Sequence, residues 1–209
     1  MTTIQEFWDR RSQNYDDQIG PLYQEAYQKT QENTWKYLTP QSRVLEFACG
    51  TGIMTFSMAP RAAWVRAIDI SGEMVRLARE KQEELGAANV EITRTDLFDP
   101  CLEEGSFDVA AAFNVLCYVE DLPGTLERLR RLVKPGGMFL SATDCLGEKL
   151  TRVGLRKFWR SRTGKMPYVA FFTMDKLRRA VEEAGFQVVE EENLFPSPPN
   201  LFLAARRLR

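Results

Sequence analysis

The chain switches hydrophobic period repeatedly, and that alternation limits its fold more than any other feature. RVLEFA (43–48) is a β-type run that stops on Cys49-Gly50-Thr51-Gly52, and a short helical stretch, IMTFSMAPR (53–61), follows it. AWVRAID (63–69) reads as a second strand. SGEMVRLAREKQEELG then places Ser71 as an N-cap, Glu73 in the first turn, Met74, Leu77, Ala78 and Leu85 on an apolar face, and Gly86 as the stop. NVEITRT (89–95) and FDVAAAFN (107–114) are a third and a fourth strand. LPGTLERLRRLV puts Leu126, Leu129 and Val133 at helical spacing and halts at Pro135-Gly136-Gly137, after which GMFLSAT (137–143) is a fifth strand. A helix capped by Thr173, with Leu177, Ala180, Val181 and Ala184 apolar, precedes FQVVEEEN (186–193) and NLFLAARR (200–207).

Strands that alternate with helices pair in parallel, because a parallel neighbour needs a crossover, and the crossover helices then cover both faces of the sheet. The last two strands are joined only by LFPSPP, too short for a crossover, so they form an antiparallel pair. The expected fold is α/β, Rossmann-like and doubly wound, with a seven-stranded, mostly parallel sheet ending in a C-terminal antiparallel hairpin. Residues 1–40, with Phe7, Trp8, Tyr15, Tyr23, Tyr27, Trp35 and Tyr37, form an N-terminal helical cap. Residues 41–143 make the ligand-binding half, 144–172 a substrate-side insertion and 173–209 a helix with the terminal hairpin. All belong to one domain, as 209 residues allow.

A net charge of −1 argues against nucleic acid as a partner held by bulk positive charge. FDVAAAFNVLCYV (107–119) is too short and too polar to span a bilayer, and MTTIQEFWDRR has no apolar stretch of a secretory signal, so the cytoplasm is the expected location. The chain has no histidine, and its cysteines (Cys49, Cys101, Cys117, Cys145) form no C-x-x-C pair. Neither a metal site nor an imidazole base is expected, and the cysteines read as small buried hydrophobes.

In an open parallel sheet, ligands bind beyond the carboxyl ends of the strands, where strand order reverses. Gly50-Thr51-Gly52 reaches that edge, and Asp69 ends the next strand, where a carboxylate can accept both hydroxyls of a ribose. Facing the cleft from a strand end, Asp69 is expected to matter for affinity and little for ligand-free stability. The dinucleotide fingerprint is the rival, but Thr55 stands where its third glycine or alanine belongs. Glu46 decides between them. An acid beside the turn repels a pyrophosphate and attracts an ammonium or another cation, which favours S-adenosylmethionine over NAD.

VLEFACGTG, AIDIS (67–71), TDL (95–97), FDVAAAFNVLCYVED (107–121), LVKPGG (132–137) and FTMDKLRRAVEEAGF (172–186) together resemble the class I S-adenosylmethionine-dependent methyltransferases. The likeness is greatest to the small-molecule group that includes the quinone-biosynthesis methyltransferases. The resemblance implies that Glu46 faces the methionyl end of the cofactor, with the backbone of Ala48, Gly50 and Gly52 lining the glycine turn. It implies Asp69 on the ribose, Ile70 beside the adenine, Asp96 and the Leu97 backbone on the adenine amino group, and Asn114 near the sulfonium. Methyl transfer to a small-molecule acceptor would leave S-adenosylhomocysteine. A non-catalytic nucleotide-binding module on the same fold is the alternative from another class.

Many relatives carry histidine within the segment matching LCYVE (116–120), where this chain has Cys117 and Tyr118. Candidates for removing an acceptor's proton are Tyr118 and Asp144, with Tyr15 and Tyr168 behind them. The other expectation is a mechanism of proximity and in-line alignment without a base. Tyr15, Trp159 and Tyr168 are expected on the substrate side. KLTRVGLRKFWRSRTGK (149–165) holds seven basic residues and no acid. It reads as a solvated face, as a site for an anionic acceptor using Arg152, Arg156, Lys157 and Arg160, or as an amphipathic helix lying on anionic lipid.

Overall fold

The computed structural model describes residues 3–208, so residues 1 and 2 of the expected cap and residue 209 of the hairpin segment lie outside it. Two apolar runs make its centre. β1 (Arg43–Phe47) and β4 (Phe107–Phe113) lie side by side in parallel, Val44 opposite Val109 and Phe47 opposite Ala112. Their nearly unbroken apolar composition suits strands covered on both faces. β2 (Trp64–Asp69) and β3 (Val90–Arg94) extend the sheet on one side. β5 (Val133–Asp144), β6 (Phe186–Pro196) and β7 (Pro199–Arg207) extend it on the other, in the order β3-β2-β1-β4-β5-β7-β6. Only β7 runs antiparallel, inserted between β5 and β6, as the short connection predicts.

Successive residues of the central strands feed opposite cores. Val44, Val65, Ala67 and Val109 pack with Met58, Val75 and Ala78 of α3 (Ile53–Met58) and α4 (Gly72–Leu85). Leu45, Ile68, Ala110 and Phe139 face the other way, onto Leu126 and Leu129 of α5 (Leu122–Leu132) and Leu177 and Val181 of α7 (Met174–Glu183). Ser71 and Thr173 cap α4 and α7 by accepting backbone N–H groups three residues on, and Gly86 ends α4 in the left-handed conformation. The N-terminal part forms α1 (Ile4–Ser12) and α2 (Gly20–Trp35), and the basic segment forms α6 (Arg152–Arg162).

Two local expectations fail. Leu85 is 64% exposed at the last turn of α4, and Val75 takes the buried position beside Ala78. α5 stops at Leu132 rather than at Pro135, and β5 begins at Val133, paired with Phe107. A residue that precedes proline is driven towards extended backbone, so the helix ends before the proline is reached. The register then shifts between Phe107 and Val109, while Lys134 pairs with Asp108 at 2.5 Å.

Candidate active site

β1 hands over to a turn in which Ala48 (φ 58°), Gly50 (φ 56°) and Gly52 (φ 83°) are all left-handed. Only Ala48 carries a side chain against that conformation, at a cost of roughly 1 kcal/mol. Asp69 holds the turn in place. Its Oδ2 accepts the Gly50 N–H at 2.9 Å and its Oδ1 accepts the Ser71 N–H at 2.8 Å, joining the β1 turn to the start of α4. Burial raises the Asp69 pKa, and the backbone donors oppose that rise.

Asp69 therefore has a structural task that its place at a strand end does not reveal. Asp69→Ala should weaken cofactor binding and also cost the ligand-free protein roughly 1–2 kcal/mol, because two backbone donors lose their acceptor. Calorimetric titration and thermal unfolding of one preparation check both parts. An unchanged melting temperature would return Asp69 to a purely ligand-facing role.

Glu46, 2% exposed, sits in the middle of β1. Burial pushes its carboxyl up to about 8, and the nearby Asp69 charge adds to this, while a hydrogen bond from the Thr55 hydroxyl pulls it down. Among the described residues no lysine or arginine pairs with it. The residue that breaks the dinucleotide fingerprint, Thr55, is thus the one that serves Glu46.

A largely apolar cavity of about 200 Å³ opens above the carboxyl ends of the strands. Ala48, Gly50, Asp69 and Ile70 line it from β1 and β2, Asp96 and Leu97 from the end of β3, and Asn114 and Tyr118 from the end of β4. Glu46 opens instead on a smaller adjoining pocket that shares Tyr15, Ala48, Gly50 and Asn114 with the cavity. Gly52 lines neither and begins α3. Asp96 is exposed and accepts the Phe98 N–H at 2.6 Å, while Leu97 is buried.

Of the residues expected on the substrate side, Tyr15 lines the cavity and the other two do not. Trp159 and Tyr168 are 60% and 43% exposed and do not line the cavity. α6 turns Gly154, Lys157 and Phe158 inward, which leaves Trp159 outside with its ring edge-on to Phe158 at 5.7 Å. Asp144 also lies outside the cavity lining, paired with Lys157 at 3.0 Å. Tyr15 and Tyr118 do line it, but burial raises both phenols, Tyr118 to about 12. Each stays protonated near neutrality, so each can donate a hydrogen bond and neither serves as a base. The Cys117 thiol is pushed up to about 12 in the same way and is no nucleophile.

The N-terminal cap expected from the sequence lies over the cavity with Tyr15, but which of its other residues reach the site was not foreseen. Ile4 and Trp8 of α1 line the cavity, and the Trp8 ring meets Tyr118 edge-on at 5.2 Å. Asp9 latches α1 to α4, accepting from the Ser71 hydroxyl at 2.5 Å and from the Glu73 N–H at 3.2 Å. Asp16 accepts from the Thr51 hydroxyl at 2.6 Å and pairs with Lys81. The aromatic content of residues 1–40 was the only sequence signal for this lid. Asn200, at the start of β7, was also missed. It donates to Asn114 Oδ1 at 2.9 Å and to Asp144 Oδ1 at 3.0 Å.

A glycine turn at the β1–β4 switch point, an acid ending β2 and a buried acid with no cation against it make an α/β site suited to a nucleoside ligand bearing positive charge. Residues 18–191 match the methyltransferase-domain family, and the chain belongs to that family. A ubiquinone biosynthesis O-methyltransferase of Xanthomonas oryzae pv. oryzae (strain PXO99A) is 37% identical over 105 residues, 49% of this chain and 44% of that protein. The chain thus matches less than half the length of that curated relative. A protein of the same name from Burkholderia pseudomallei (strain 1710b) is 29% identical over 164 residues, 76% of this chain and 70% of the relative. Among solved structures, a Haemonchus contortus N-methyltransferase in complex with phosphomonomethylethanolamine and S-adenosylhomocysteine superposes with a TM-score of 0.79 at 16% identity. That likeness covers 100% of this chain and 61% of the other, and it shows a common fold.

Proposed function

We propose that the chain transfers a methyl group from S-adenosylmethionine to an oxygen of a small, largely apolar acceptor, releasing S-adenosylhomocysteine. The observation that carries this reading is Glu46, a buried carboxyl with no cation against it among the described residues, beside a glycine turn held by Asp69. A ligand with an ammonium at one end and a ribose at the other fits that pair of acids, and a pyrophosphate does not. The fold neighbour solved with S-adenosylhomocysteine supports the choice, and the names of the two curated relatives support oxygen as the acceptor atom.

In this reading Glu46 and the backbone at Ala48 and Gly50 hold the methionyl part, and Gly52 shapes the turn that presents them. Asp69 takes the ribose, and Ile70, Asp96 and Leu97 take the adenine, while Asn114 stands near the reacting methyl. The cofactor supplies a methyl already activated on a sulfonium. The chain's own contribution is to align the acceptor and exclude water beneath Ile4, Trp8 and Tyr15, which can supply much of the rate. No histidine is available as a base, and the cavity phenols remain protonated.

A membrane-associated or phospholipid acceptor is a second reading, favoured by one observation. Leu150, Leu155 and Trp159 are 100%, 52% and 60% exposed around α6, interleaved with exposed Arg152, Arg156 and Arg160. Among the described residues no helix is long and apolar enough to cross a membrane. Three of the four free cysteines are buried, and free thiols suit a reducing compartment such as the cytoplasm.

A screen with tritiated-methyl S-adenosylmethionine against phenols, amines, thiols and anionic phospholipids tests the proposal. Transfer to a phenol is expected. Transfer confined to amines or thiols would overturn the oxygen assignment. Binding of S-adenosylhomocysteine with no transfer to any class would favour a non-catalytic module.

A further inference from the structure

Of the seven basic residues between 149 and 165, Lys157 alone is turned into the protein, its side chain 19% exposed. Its Nζ lies 3.0 Å from Asp144 Oδ2 and 5.5 Å from the centre of the Tyr118 ring. Asp144 Oδ1 accepts from Asn200, and the same amide donates to Asn114. Tyr118 and Asn114 line the cavity, whereas Lys157, Asp144 and Asn200 stand behind them. β4, β5, α6 and β7 thus cooperate to fix one ammonium behind one cavity wall. A buried ion pair adds little net stability against an apolar replacement, so stability alone gives no reason for it.

The groups around this ammonium are few. Asp144 faces it from β5, and Tyr118 and Cys117 face it from the 116–118 turn. Tyr118 is faced by Cys117, Lys157 and Asp144, and Tyr15 lies within reach across the cavity. The phenols and the thiol stay neutral, which leaves the ammonium and the carboxylate as the charges. At Tyr118 burial raises the phenol most, the Lys157 ammonium pulls the other way, and Asp144 opposes that pull.

From this arrangement we infer that Lys157 is a positioning residue that makes the cavity prefer an acceptor oxygen in its ionised form, acting through Tyr118. The inference rests on the methyl-transfer reading and deepens it. The acceptor gives its proton to solvent before reaction. A lone pair of its oxygen then forms the bond to carbon, and the electrons of the carbon–sulfur bond pass to sulfur, so the chain needs no base. Asn200 and Asp144 serve to keep Lys157 at this wall.

The test uses 4-nitrophenol, whose ionised form absorbs at longer wavelength, added to the full chain saturated with S-adenosylhomocysteine. Burial raises a phenol in this cavity, as it raises Tyr118, and Lys157 works against that rise. The bound probe should therefore ionise about one pH unit lower in the unaltered chain than in Lys157→Met, a preference for the anion about ten-fold stronger. Lys157→Arg should keep most of that difference, with S-adenosylhomocysteine affinity unchanged in both variants. Equal ionisation of the probe in the unaltered chain and in K157M, or no binding of the probe to the loaded protein, would overturn the inference. If K157M does not fold, the same comparison with Lys157→Gln decides. Failure to bind S-adenosylhomocysteine at the outset would strike at the methyl-transfer reading instead.

Discussion

Replacing Glu46 with glutamine should stabilise the ligand-free protein and weaken S-adenosylhomocysteine binding at least ten-fold, both in one variant. Burial lifts the carboxyl from the usual 4.5 to about 8, so at neutral pH the native protein keeps a proton that the unfolded chain has released. The native state therefore binds more protons between these two values. Stability falls as pH rises through that window and, for this residue, is flat on either side of it. Near neutrality the accumulated cost is about 3 kcal/mol, which glutamine removes. The Thr55 hydroxyl can still donate to the glutamine carbonyl. A cationic ligand reverses the balance, because it needs the ionised acid. Affinity for it should rise with pH up to about 8 in the parent and stay flat in the variant. Burial raises Asp69 as well, so that residue adds a pH trend of the same sign to stability. Urea unfolding with and without ligand reads both effects. A less stable E46Q would make Glu46 a structural acid.

Gly52→Val should cost roughly 2–4 kcal/mol and eliminate measurable cofactor binding. Gly52 has φ 83°, and a Cβ there would lie 2.5 Å from Cε2 of Phe56, whose ring packs against the core beneath α3. A β-branched side chain adds to the strain at positive φ. Gly50→Ala makes the informative contrast. Its φ is 56°, but a Cβ would meet nothing nearer than Met74 Sδ and Tyr15 at 4.0 Å. The alanine should cost about 1 kcal/mol, the chain should fold, and the methyl should intrude on the cavity and reduce affinity. Melting curves and titrations of the two variants separate the roles of the glycines. A G52V protein with the parental melting temperature would show that the turn adopts another backbone than the one described.

The parts of this molecule that depend on nearby residues were legible in its sequence. Ser71, Gly86 and Thr173 cap helices through contacts three to four residues away, and the alternating pattern fixes the sheet because its central strands must bury two faces. Gly50 and Asp69 could be read together because the second strand of such a sheet ends beside the first. What failed depends on distant partners. Asn200 gains its role from Asn114 and Asp144, 86 and 56 positions away, and no local pattern marks it. Val133 belongs to β5 because Phe107 pairs with it. Trp159 is as amphipathic a choice for a pocket as Lys157, and only the seating of α6 decides which of them turns inward. The cap was legible from its aromatics, but the contacts of Trp8 and Asp9 were not, since both reach the site through the packing of α1 on α4.

Calorimetric titration of S-adenosylhomocysteine and of NAD, repeated in buffers of different ionisation enthalpy, tests the central claim most directly. S-adenosylhomocysteine should bind near neutral pH and release about one proton as Glu46 ionises against its ammonium, whereas NAD should give no binding heat. The E46Q protein should bind S-adenosylhomocysteine more weakly and without proton release. Comparable binding of NAD, or S-adenosylhomocysteine binding whose strength and proton release are the same in E46Q, would contradict the account.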